Sequence, residues 1–528
     1  IEGVERLEDP VMRAKLASML IVMAVALAAG PAGASVYNVT PSDNWFGLLH
    51  GDELQPGDQV VLGAGAYSSG SRLSIGHRGT AENPVVIRAA VGADAVLTRP
   101  NASQNVVNME GAQHLIFRGI EVTGGSAGMR ISEKNGYDAR YITIEDCHIH
   151  HTGGNLITAN HSGNTYEGLV FRFNEVNNGN GHGEGFYLGG NYSSARFHHG
   201  VIEGNYIHDL VDTGNGYFQG DGIEIKDGSH DNLVRHNVIE NTNFPGILVY
   251  GKGTTPGAGP NIVEQNVLVN IDNHAIQAAA DAKVRNNLIY NPYYEGVRSQ
   301  AHQDAVPGNL TIAHNTIINS GGGSNTGIRI SSAPDAPVYI ANNAIYTHGT
   351  AVRKGSDPEG WIFNYNNVKV TDLDANFVDA DNLDLYPTGT SAFLDAGSSL
   401  YLAEKDFNGP DRDGDTDVGA YLYDPAGNPG WDVEVGFKFF YEGDANLDGV
   451  VDGTDLGLMA GRWGKLDTWG HGDFNGDCII DGTDLGLMAG NWGLGHTGAG
   501  GGGSSLPEPA SLALLGLGAL VLIRRRRA

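Results

Sequence analysis

The chain has 528 residues, of which 78 are glycine and 41% are hydrophobic, and its formal net charge is −29 at pH 7. This excess of negative charge argues against nucleic acid as a partner, because phosphate groups would be repelled. With only two cysteines, Cys147 and Cys478, a disulfide framework does not hold the fold together.

The N-terminal residues 1–34 have the pattern of a secretory signal peptide. Arg13 and Lys15 follow Met12, an apolar run covers 16–29, and the small residues 32–34 provide a cleavage site. The acidic stretch before Met12 suits such a signal poorly, so Met12 is the alternative start. A membrane anchor is the competing interpretation, but the apolar run is shorter than the roughly 20 residues of a bilayer span. We expect the mature chain to begin near Ser35.

Within a predicted domain at 35–424, the chain between Arg118 and Asn367 repeats one phrase, an apolar strand followed by Asn or Asp and another apolar residue, every 21 to 32 residues. The copies are Asp146-Cys147-His148-Ile149, Asn174-Glu175-Val176, Asn205-Tyr206-Ile207, Asn237-Val238-Ile239, Asn266-Val267-Leu268, Asn287-Leu288-Ile289, Asn315-Thr316-Ile317 and Asn343-Ala344-Ile345. Such a period predicts a solenoid, whose stacked coils bury their apolar faces together. Helical repeats are disfavoured, because glycine, asparagine and β-branched residues dominate.

The repeat resembles the right-handed parallel β-helix proteins, a group rich in polysaccharide lyases, hydrolases and epimerases. The resemblance implies an all-β, single-stranded right-handed parallel β-helix, and Asn side chains of successive coils would hydrogen-bond to each other. Residues 54–58 and 79–85 are similar to the first coils of alginate and chondroitin lyases with this fold. The fold hosts many chemistries, so activity depends on the site.

The second strand of each coil begins near Gly or Ala, and its side chains alternate between core and surface. We expect these side chains to point inward: Phe186, Ile223, Ile225, Ile247, Val249, Ile276, Val297, Ile328 and Ile330. The outward column would line a groove with Tyr187, Glu224, Leu248, Gln277, Arg298 and Arg329, and a second column with Lys226, Tyr250 and Gln300. Nearby turns add His182, Glu184, Asp221, Asp227, His230, Asp272, His274 and Glu295.

We predict an active site for β-elimination on an acidic polysaccharide, centred on 220–230 and walled by loops 211–220 and 252–260. The predicted catalytic residues are Lys226, Glu224, Tyr250 and Arg298. Lys226 or Tyr250 would take the proton α to a uronate carboxylate, and Arg298 would pair with that carboxylate. Glu224 and Asp221 would hold Ca²⁺ or a sugar hydroxyl. The predicted substrate-binding residues are Tyr187, Asp221, Gln277, His274, Gln300 and Arg329.

Several alternatives remain open from the sequence. Glu224 and Lys226 would also suit a solvent-facing ion pair. The function could instead be glycoside hydrolysis with paired carboxylates, or noncatalytic binding of exopolysaccharide by a structural surface protein. His148, His150 and His151 resemble a metal cluster, but alternation separates the third from the others. The stretch 406–417 would bind a cation or cap the last coil.

After a linker at 425–441, residues 442–494 contain two near copies offset by 29 residues. Their oxygen ligands have the spacing that Ca²⁺ requires: Asp444, Asn446, Asp448, the Val450 carbonyl, Asp452 and Asp455, then Asp473, Asn475, Asp477, the Ile479 carbonyl, Asp481 and Asp484. A short helix follows each loop. The pair resembles a type I dockerin, a small α-helical domain, which implies a cohesin-type partner; a private stalk is the alternative.

The two loops differ at their sharp turn, where Gly449 in the first copy corresponds to Cys478 in the second. A residue other than glycine is strained at positive φ. We therefore expect the second loop to bind Ca²⁺ more weakly.

The chain ends in a Gly/Ser-rich linker, 495–506, and a tail, 507–528. Pro507-Glu508-Pro509 precedes an apolar run and the arginines 524–527, in the order of a PEP-CTERM sorting signal, which the tail resembles. The resemblance implies transient inner-membrane insertion, cleavage by an exosortase-type enzyme, and a secreted or cell-surface protein. The apolar run would rise only about 21 Å as a helix, and its arginines fit the cytoplasmic side. A permanent tail anchor is the alternative.

Overall fold

The structure, a computed structural model, describes residues 34–211, 219–253, 255–437 and 441–495. The predicted signal peptide, up to residue 33, and the predicted sorting signal lie outside the described residues. The described residues divide into two compact units: one comprises 36–437 without Glu82–Pro84, and the other includes 441–495. Within the described ranges, no helix is both long and apolar enough to cross a bilayer.

The first unit is a parallel β-solenoid built from three long sheets. Sheet 1 contains Val36–Val39, Gln59–Leu62, Val85–Ala89, Gln113–Arg118, Arg140–Glu145, Val170–Arg172, Val201–Glu203, Leu233–Arg235, Asn261–Glu264, Ala280–Arg285, Gly308–Ala313, Val338–Ala341 and Ile362–Tyr365. Sheet 2 contains Gly65–Ser68, Ala95–Arg99, Ile120–Gly124, His148–His150, Glu175–Asn177, Tyr206–Leu210, Val238–Thr242, Val267–Val269, Leu288–Tyr290, Thr316–Asn319, Ala344–Thr347 and Val368–Val370. Sheet 3 contains Leu73–Ile75, Val107–Glu110, Met129–Ser132, Ile157–Ala159, Phe186–Leu188, Ile223–Ile225, Ile247–Val249, Ile276–Ala278, Val297–Ser299, Thr326–Ile330 and Thr350–Lys354.

Each coil passes through sheet 1, sheet 2 and sheet 3 in turn, and about 11 coils are complete. Every strand of these sheets pairs in parallel with the equivalent strand of the next coil, as in the pairing of Phe186–Leu188 with Ile223–Ile225. The inward side chains form one continuous apolar core. The predicted solenoid is confirmed.

Smaller elements decorate the solenoid. They are the helix Trp45–Leu49, the 3₁₀ turns Asn191–Ser193 and Ala380–Asn382, a parallel pair Thr165–Glu167 and Arg196–His198, and an antiparallel pair Phe377–Asp379 and Asp384–Pro387.

The turn between sheets 1 and 2 carries the predicted asparagine ladder. Each Asn donates a side-chain hydrogen bond of 2.6–3.0 Å to the Asn of the next coil, in the series Asn174, Asn205, Asn237, Asn266, Asn287, Asn315, Asn343 and Asn367. The residue before each Asn has a positive φ, as at His236 (φ 55°). In the coil before the ladder, Asp146 takes this positive φ, and Cys147 rather than Asp146 occupies the asparagine position.

A second ladder, of alternating charge, lies two residues before the asparagines. Its members in strand order are Arg118, Glu145, Arg172, Glu203, Arg235, Glu264 and Arg285. Glu145 bonds Arg118 and Arg172 at 3.0 Å each, and Glu203 bonds Arg172 at 2.7 Å and Arg235 at 2.8 Å. The stacking of coils therefore pairs each buried charge with its opposite.

Residues 371–437 cover the outer face of sheet 2, where Phe377, Phe407 and Tyr421 pack on side chains such as Leu288. The segment 406–417 belongs to this cover, so its expected role as a cap on the last coil is wrong. Gln265 Nε2 donates to the Asp406 carbonyl at 2.8 Å, and the buried Arg412 guanidinium donates to Asn286 at 3.3 Å. These hydrogen bonds hold the segment against the side of the solenoid. Apolar packing on the outer face of sheet 2 adds to them.

The second unit contains the helices Gly453–Arg462 and Gly482–Gly490 and the 3₁₀ turn Trp469–His471. Asp452 and Asp481 begin the two helices with the same capping box. Met459 and Met488, one from each helix, are fully buried in a shared apolar cluster. The duplicated sequence thus folds into two like loop-and-helix units that cover each other's apolar faces.

Candidate functional site

The outward column predicted on sheet 3 is present in the expected register. Adjacent strands pair Tyr187 with Glu224, Glu224 with Leu248, Leu248 with Gln277, Gln277 with Arg298, and Arg298 with Arg329. The predicted inward side chains, among them Phe186 and Ile223, are fully buried. Register and facing are therefore confirmed, while the roles of the residues remain predictions.

The centre of this column is not the exposed wall that alternation predicts. Glu224 is 3% exposed, Lys226 4% and Tyr250 2%. Two loops meet above the column: Gln303 Nε2 donates to Asn191 Oδ1 at 2.9 Å, although the residues are 112 positions apart. The His302 ring also lies 4.6 Å from the Tyr250 ring. Contacts between such distant loops leave no periodic signal in the sequence.

Three acidic side chains meet at this centre. Glu184, Asp221 and Glu224 are buried, and one carboxylate oxygen from each lies within 4.8 Å of the other two. Among the described residues, Glu184 Oε2, Asp221 Oδ1 and Glu224 Oε2 have no hydrogen-bond partner. Buried charged oxygens without partners are costly, so this cluster has the character of a cation site.

The pKa values of the three carboxyl groups are raised because the groups are buried close to one another. Burial, together with the negative charge of Glu224, raises the pKa of Glu184 to about 8. Burial and the charges of Glu224 and Glu184 also raise the pKa of Asp221 well above its usual value. For Glu224, burial raises the pKa and outweighs the opposing effect of the Lys226 ammonium group.

Lys226 links the carboxylates to two tyrosines. Its Nζ donates to Glu224 Oε1 and, at 3.3 Å, to the Tyr250 hydroxyl, which in turn donates to Glu224 Oε1 at 3.1 Å. The ammonium lies 4.4 Å from the centre of the Tyr187 ring. The ion pair of Glu224 and Lys226 is thus buried. The alternative interpretation, a solvent-facing ion pair, is wrong.

A second polar group lies further along the same face. Arg298 donates to His274 Nε2 at 3.1 Å, and His274 Nδ1 lies 2.8 Å from Glu295. Arg329 lies 3.3 Å from Glu295. Burial opposes ionisation of Glu295, but His274 and the two guanidinium groups overcome it and lower the pKa of this carboxyl to about 2. Glu295 therefore holds both arginines in place as a carboxylate.

Arg298 lies further along the solenoid than the carboxylate cluster. Its strand is three steps from that of Glu224, which corresponds to about 14 Å between backbones. Its side chain bonds His274, and its pairing with a uronate carboxylate stays a prediction.

The remaining predicted residues have local partners. Gln300 donates to Gln277 at 3.0 Å between the two outward columns. Asp227 accepts a hydrogen bond from Ser193, and His230 lies 2.7 Å from Asp231. His148 and His150 stack with ring centres 4.0 Å apart. Within the described part of the chain, the only other group of three close acidic ligands is Asp395, Asp415 and Asp417.

In the second unit, the two acidic loops adopt the same conformation. Asp455 Oδ1 accepts hydrogen bonds from the backbone of Ala445 and Asn446, and Asp484 makes the equivalent bonds to the second loop. Burial and the nearby Asp455 raise the pKa of Asp444 to about 8.

The strain predicted for Cys478 is present, with φ 61°, but it does not distinguish the loops. Leu447 in the first loop has φ 56°, where the second loop has Gly476. Each loop thus contains one residue other than glycine at positive φ, which removes the basis for expecting a weaker second loop.

Two residues of this face were missed or undervalued from the sequence. Glu184 was assigned only to a turn, because it precedes its strand and its approach to Asp221 depends on the stacking of coils. Arg353 pairs with Arg329 on the last strand of sheet 3. The Ala-Val-Arg spacing of 351–353, which repeats the Gly-Ile-Arg of 327–329, is a signal that would have identified it.

Residues 101–256 and 200–345 match the right-handed β-helix region model, and residues 505–527 match the PEP-CTERM protein-sorting motif. The solenoid is accordingly a right-handed parallel β-helix, and the tail motif indicates sorting to the cell surface after export. No curated protein sequence matches the chain.

Similar solved structures include the pectate lyase Pel9A, with TM-score 0.48 and 13% identity over 74% of this chain and 98% of that one. The alginate lyase from Paenibacillus sp. str. FPU-7 has TM-score 0.35 and 17% identity over 58% of this chain and 98% of that one. The catalytic domain of a GH87 alpha-1,3-glucanase in complex with nigerose has TM-score 0.36 and 14% identity over 65% of this chain and 69% of that one. Nothing about the activity of this chain follows from similarities at these levels.

Proposed function

We propose that this is an exported, surface-displayed enzyme that cleaves an acidic polysaccharide by β-elimination, with its active site at Glu184, Asp221, Glu224, Lys226 and Tyr250. The observation that carries the proposal is the buried group of three carboxylates beside an amine and a phenol. This combination would provide a cation site, a base and an acid within one small region.

The three carboxylates fit Ca²⁺, which prefers oxygen ligands. Their raised pKa values arise from burial and mutual repulsion, both of which a divalent cation would relieve. When bound there, Ca²⁺ would neutralise the uronate carboxylate and so favour loss of the adjacent proton.

Lys226 is the proposed base and Tyr250 the proposed acid. Lys226 Nζ would act as a neutral amine: its ammonium would first lose a proton to solvent, Glu224 would turn towards a cation, and the amine would then take the proton α to the carboxylate. Burial and the charges of Glu224 and Asp221 raise the pKa of Tyr250, so its hydroxyl stays protonated. As the carbon–carbon double bond forms and the bond to the glycosidic oxygen breaks, Tyr250 would give its proton to that oxygen.

Substrate can reach these groups only if the covering loops separate. Asn191 and Gln303 are joined by a hydrogen bond of 2.9 Å, and Gln303 also accepts from the backbone of Tyr192 at 3.2 Å. These polar contacts are among those that opening would break.

Glycoside hydrolysis is a second candidate, favoured by the raised pKa of Glu184. A carboxyl group with a pKa of about 8 is protonated at neutral pH, as a general acid must be, and close carboxyl groups are typical of retaining glycosidases. The burial of Lys226 favours a third candidate, a noncatalytic polysaccharide-binding protein.

The three candidates give different products. The full chain would be incubated with alginate, pectate and chondroitin, with Ca²⁺ or with a chelator, and ultraviolet absorbance and reducing ends would be measured. β-Elimination predicts that both rise with Ca²⁺ on one polyuronate. New reducing ends without absorbance would indicate hydrolysis, and binding without either product would indicate a noncatalytic protein.

For the second unit, we propose a dockerin-like role, in which the two acidic loops bind Ca²⁺ and the paired helices present a surface to a cohesin-type partner. Support comes from the matching geometry of Asp455 and Asp484 in the two loops. The test compares the binding of a cohesin domain by the wild type and by Asp455→Ala/Asp484→Ala, with Ca²⁺ and with chelator. Equal binding in all four conditions would overturn the proposal.

A further inference from the structure

Three arginines follow one another in register at the C-terminal end of sheet 3. Arg298 pairs with Arg329, and Arg329 pairs with Arg353 on adjacent parallel strands. All three side chains belong to the outward column that also contains Glu224. Parallel strands place such side chains about 4.8 Å apart, so three guanidinium groups form a row along the solenoid axis, which we term the arginine row.

The row becomes progressively more open along the axis. The side chains of Arg298 and Arg329 are 22% and 33% exposed, and Arg353 is exposed. Glu295 contacts the first two, whereas no ion pair joins Arg353 to any described residue. The described ion pairs thus give this row of three guanidinium groups a single carboxyl partner, Glu295.

The positive charge of the arginine row contrasts with the negative charge of the chain as a whole. The chain as a whole has a net charge of −29, and like charges stacked on neighbouring strands repel each other. A row of three arginines would therefore be unfavourable in the absence of an anionic ligand. Guanidinium groups bind carboxylates through paired hydrogen bonds.

We propose that the arginine row is a binding subsite for the acidic groups of a polyuronate chain lying along sheet 3. The inference rests on the proposed function, because the row begins three strand steps from Glu224 and would hold sugar units beyond the cleaved bond. Arg353 and Arg329 are its specificity-determining residues. The polymer bound there carries a carboxylate on successive units, and a neutral glucan is excluded.

The test measures binding in a Lys226→Ala background of the full chain, so that the polymer is not degraded. Calorimetry with alginate and pectate oligosaccharides compares this protein with Arg353→Gln and Arg329→Gln/Arg353→Gln variants. Lys283→Gln, which removes an exposed charge on sheet 1, is the matched control. We expect the double variant to bind about tenfold more weakly, the control to bind as before, and a neutral dextran not to bind.

Equal affinity of the double variant and the control would overturn the inference, as would equal binding of dextran. Thermal melting of both arginine variants should match that of the parent protein, which separates a loss of binding from unfolding; Arg353→Gln, whose substitution lies at an exposed position, keeps the test valid if the double variant melts early. If the wild type fails to cleave but the double variant still loses affinity, the proposed chemistry fails and the arginine row stands. If cleavage occurs and affinity is unchanged, only the arginine row is wrong.

Discussion

Lys226 Nζ donates a hydrogen bond of 3.3 Å to the hydroxyl of Tyr250, which directly follows the neighbouring strand of sheet 3. Both groups also bond the same oxygen of Glu224. The proposed base and the proposed acid therefore share one carboxylate, and movement of that carboxylate towards a cation would free both.

The first prediction concerns Ca²⁺ at the carboxylate cluster. Replacing Glu184 and Asp221 by Gln and Asn removes two of the three buried carboxylate groups. We expect the full chain to bind three Ca²⁺ ions, two in the acidic loops and one in the cluster, and the Glu184→Gln/Asp221→Asn variant to bind two. Equilibrium dialysis measures the number of ions bound. The Asp455→Ala/Asp484→Ala variant is the control and should retain the cluster ion; an unchanged stoichiometry in the cluster variant would contradict the cation site.

The second prediction concerns the asparagine ladder. Asn266 is fully buried, bonds Asn237 and Asn287 in the flanking coils, and also donates to the Val234 carbonyl. Asn266→Ala leaves several of these groups unsatisfied, so we expect it to lower the free energy of unfolding by about 3 kcal/mol. Denaturant unfolding measures the change.

The control for the ladder is Asn382→Ala, which removes one exposed hydrogen bond to Asp379 and should cost less than about 1 kcal/mol. Similar losses in the two variants would mean that the ladder is not what holds neighbouring coils together.

The third prediction concerns the charge ladder. Burial opposes ionisation of Glu203, but Arg235 and Arg172 lower its pKa to about 2, from an ordinary value of 4.5. Because the folded-state pKa is depressed, this pairing contributes stability above pH 4.5 and loses it as the pH falls towards 2. We expect Glu203→Gln to lower the free energy of unfolding by about 3 kcal/mol at neutral pH.

The measurement is the difference in unfolding free energy between wild type and Glu203→Gln across that pH range. The difference should shrink steadily as the pH falls. A difference that stays constant would show that the ionised form of Glu203 is not the source of the stabilisation.

Much of the fold follows from local sequence rules. Alternation within the short strands of sheet 3 predicted that Glu224 and Arg329 lie in one outward column, and the repeated asparagines predicted the coil boundaries. The charge ladder also has a sequence signal, since a charged residue of alternating sign, such as Glu203, stands two positions before each of the first five ladder asparagines. The burial of the site could not be predicted from the sequence, because the contact between Asn191 and Gln303 joins two loops that share no periodicity.

The cover on sheet 2 escaped prediction for a similar reason. Residues 371–437 have no repeat, and only the apolar outward side chains of sheet 2, such as Leu288, indicated that something packs on them. The separation of Arg298 from Lys226 was implicit in the strand count, because each coil adds a fixed step along the axis.

The most direct test of the proposed chemistry is the rate of unsaturated product formation by wild type, Lys226→Ala and Lys283→Ala on the polyuronate that the wild type cleaves, followed by ultraviolet absorbance with Ca²⁺ present. Lys283 lies on sheet 1 away from the groove face. The account predicts that Lys226→Ala reduces the rate at least about a hundredfold and that Lys283→Ala leaves it unchanged. A Lys226→Ala enzyme that keeps the wild-type rate would contradict the assignment of Lys226 as the base.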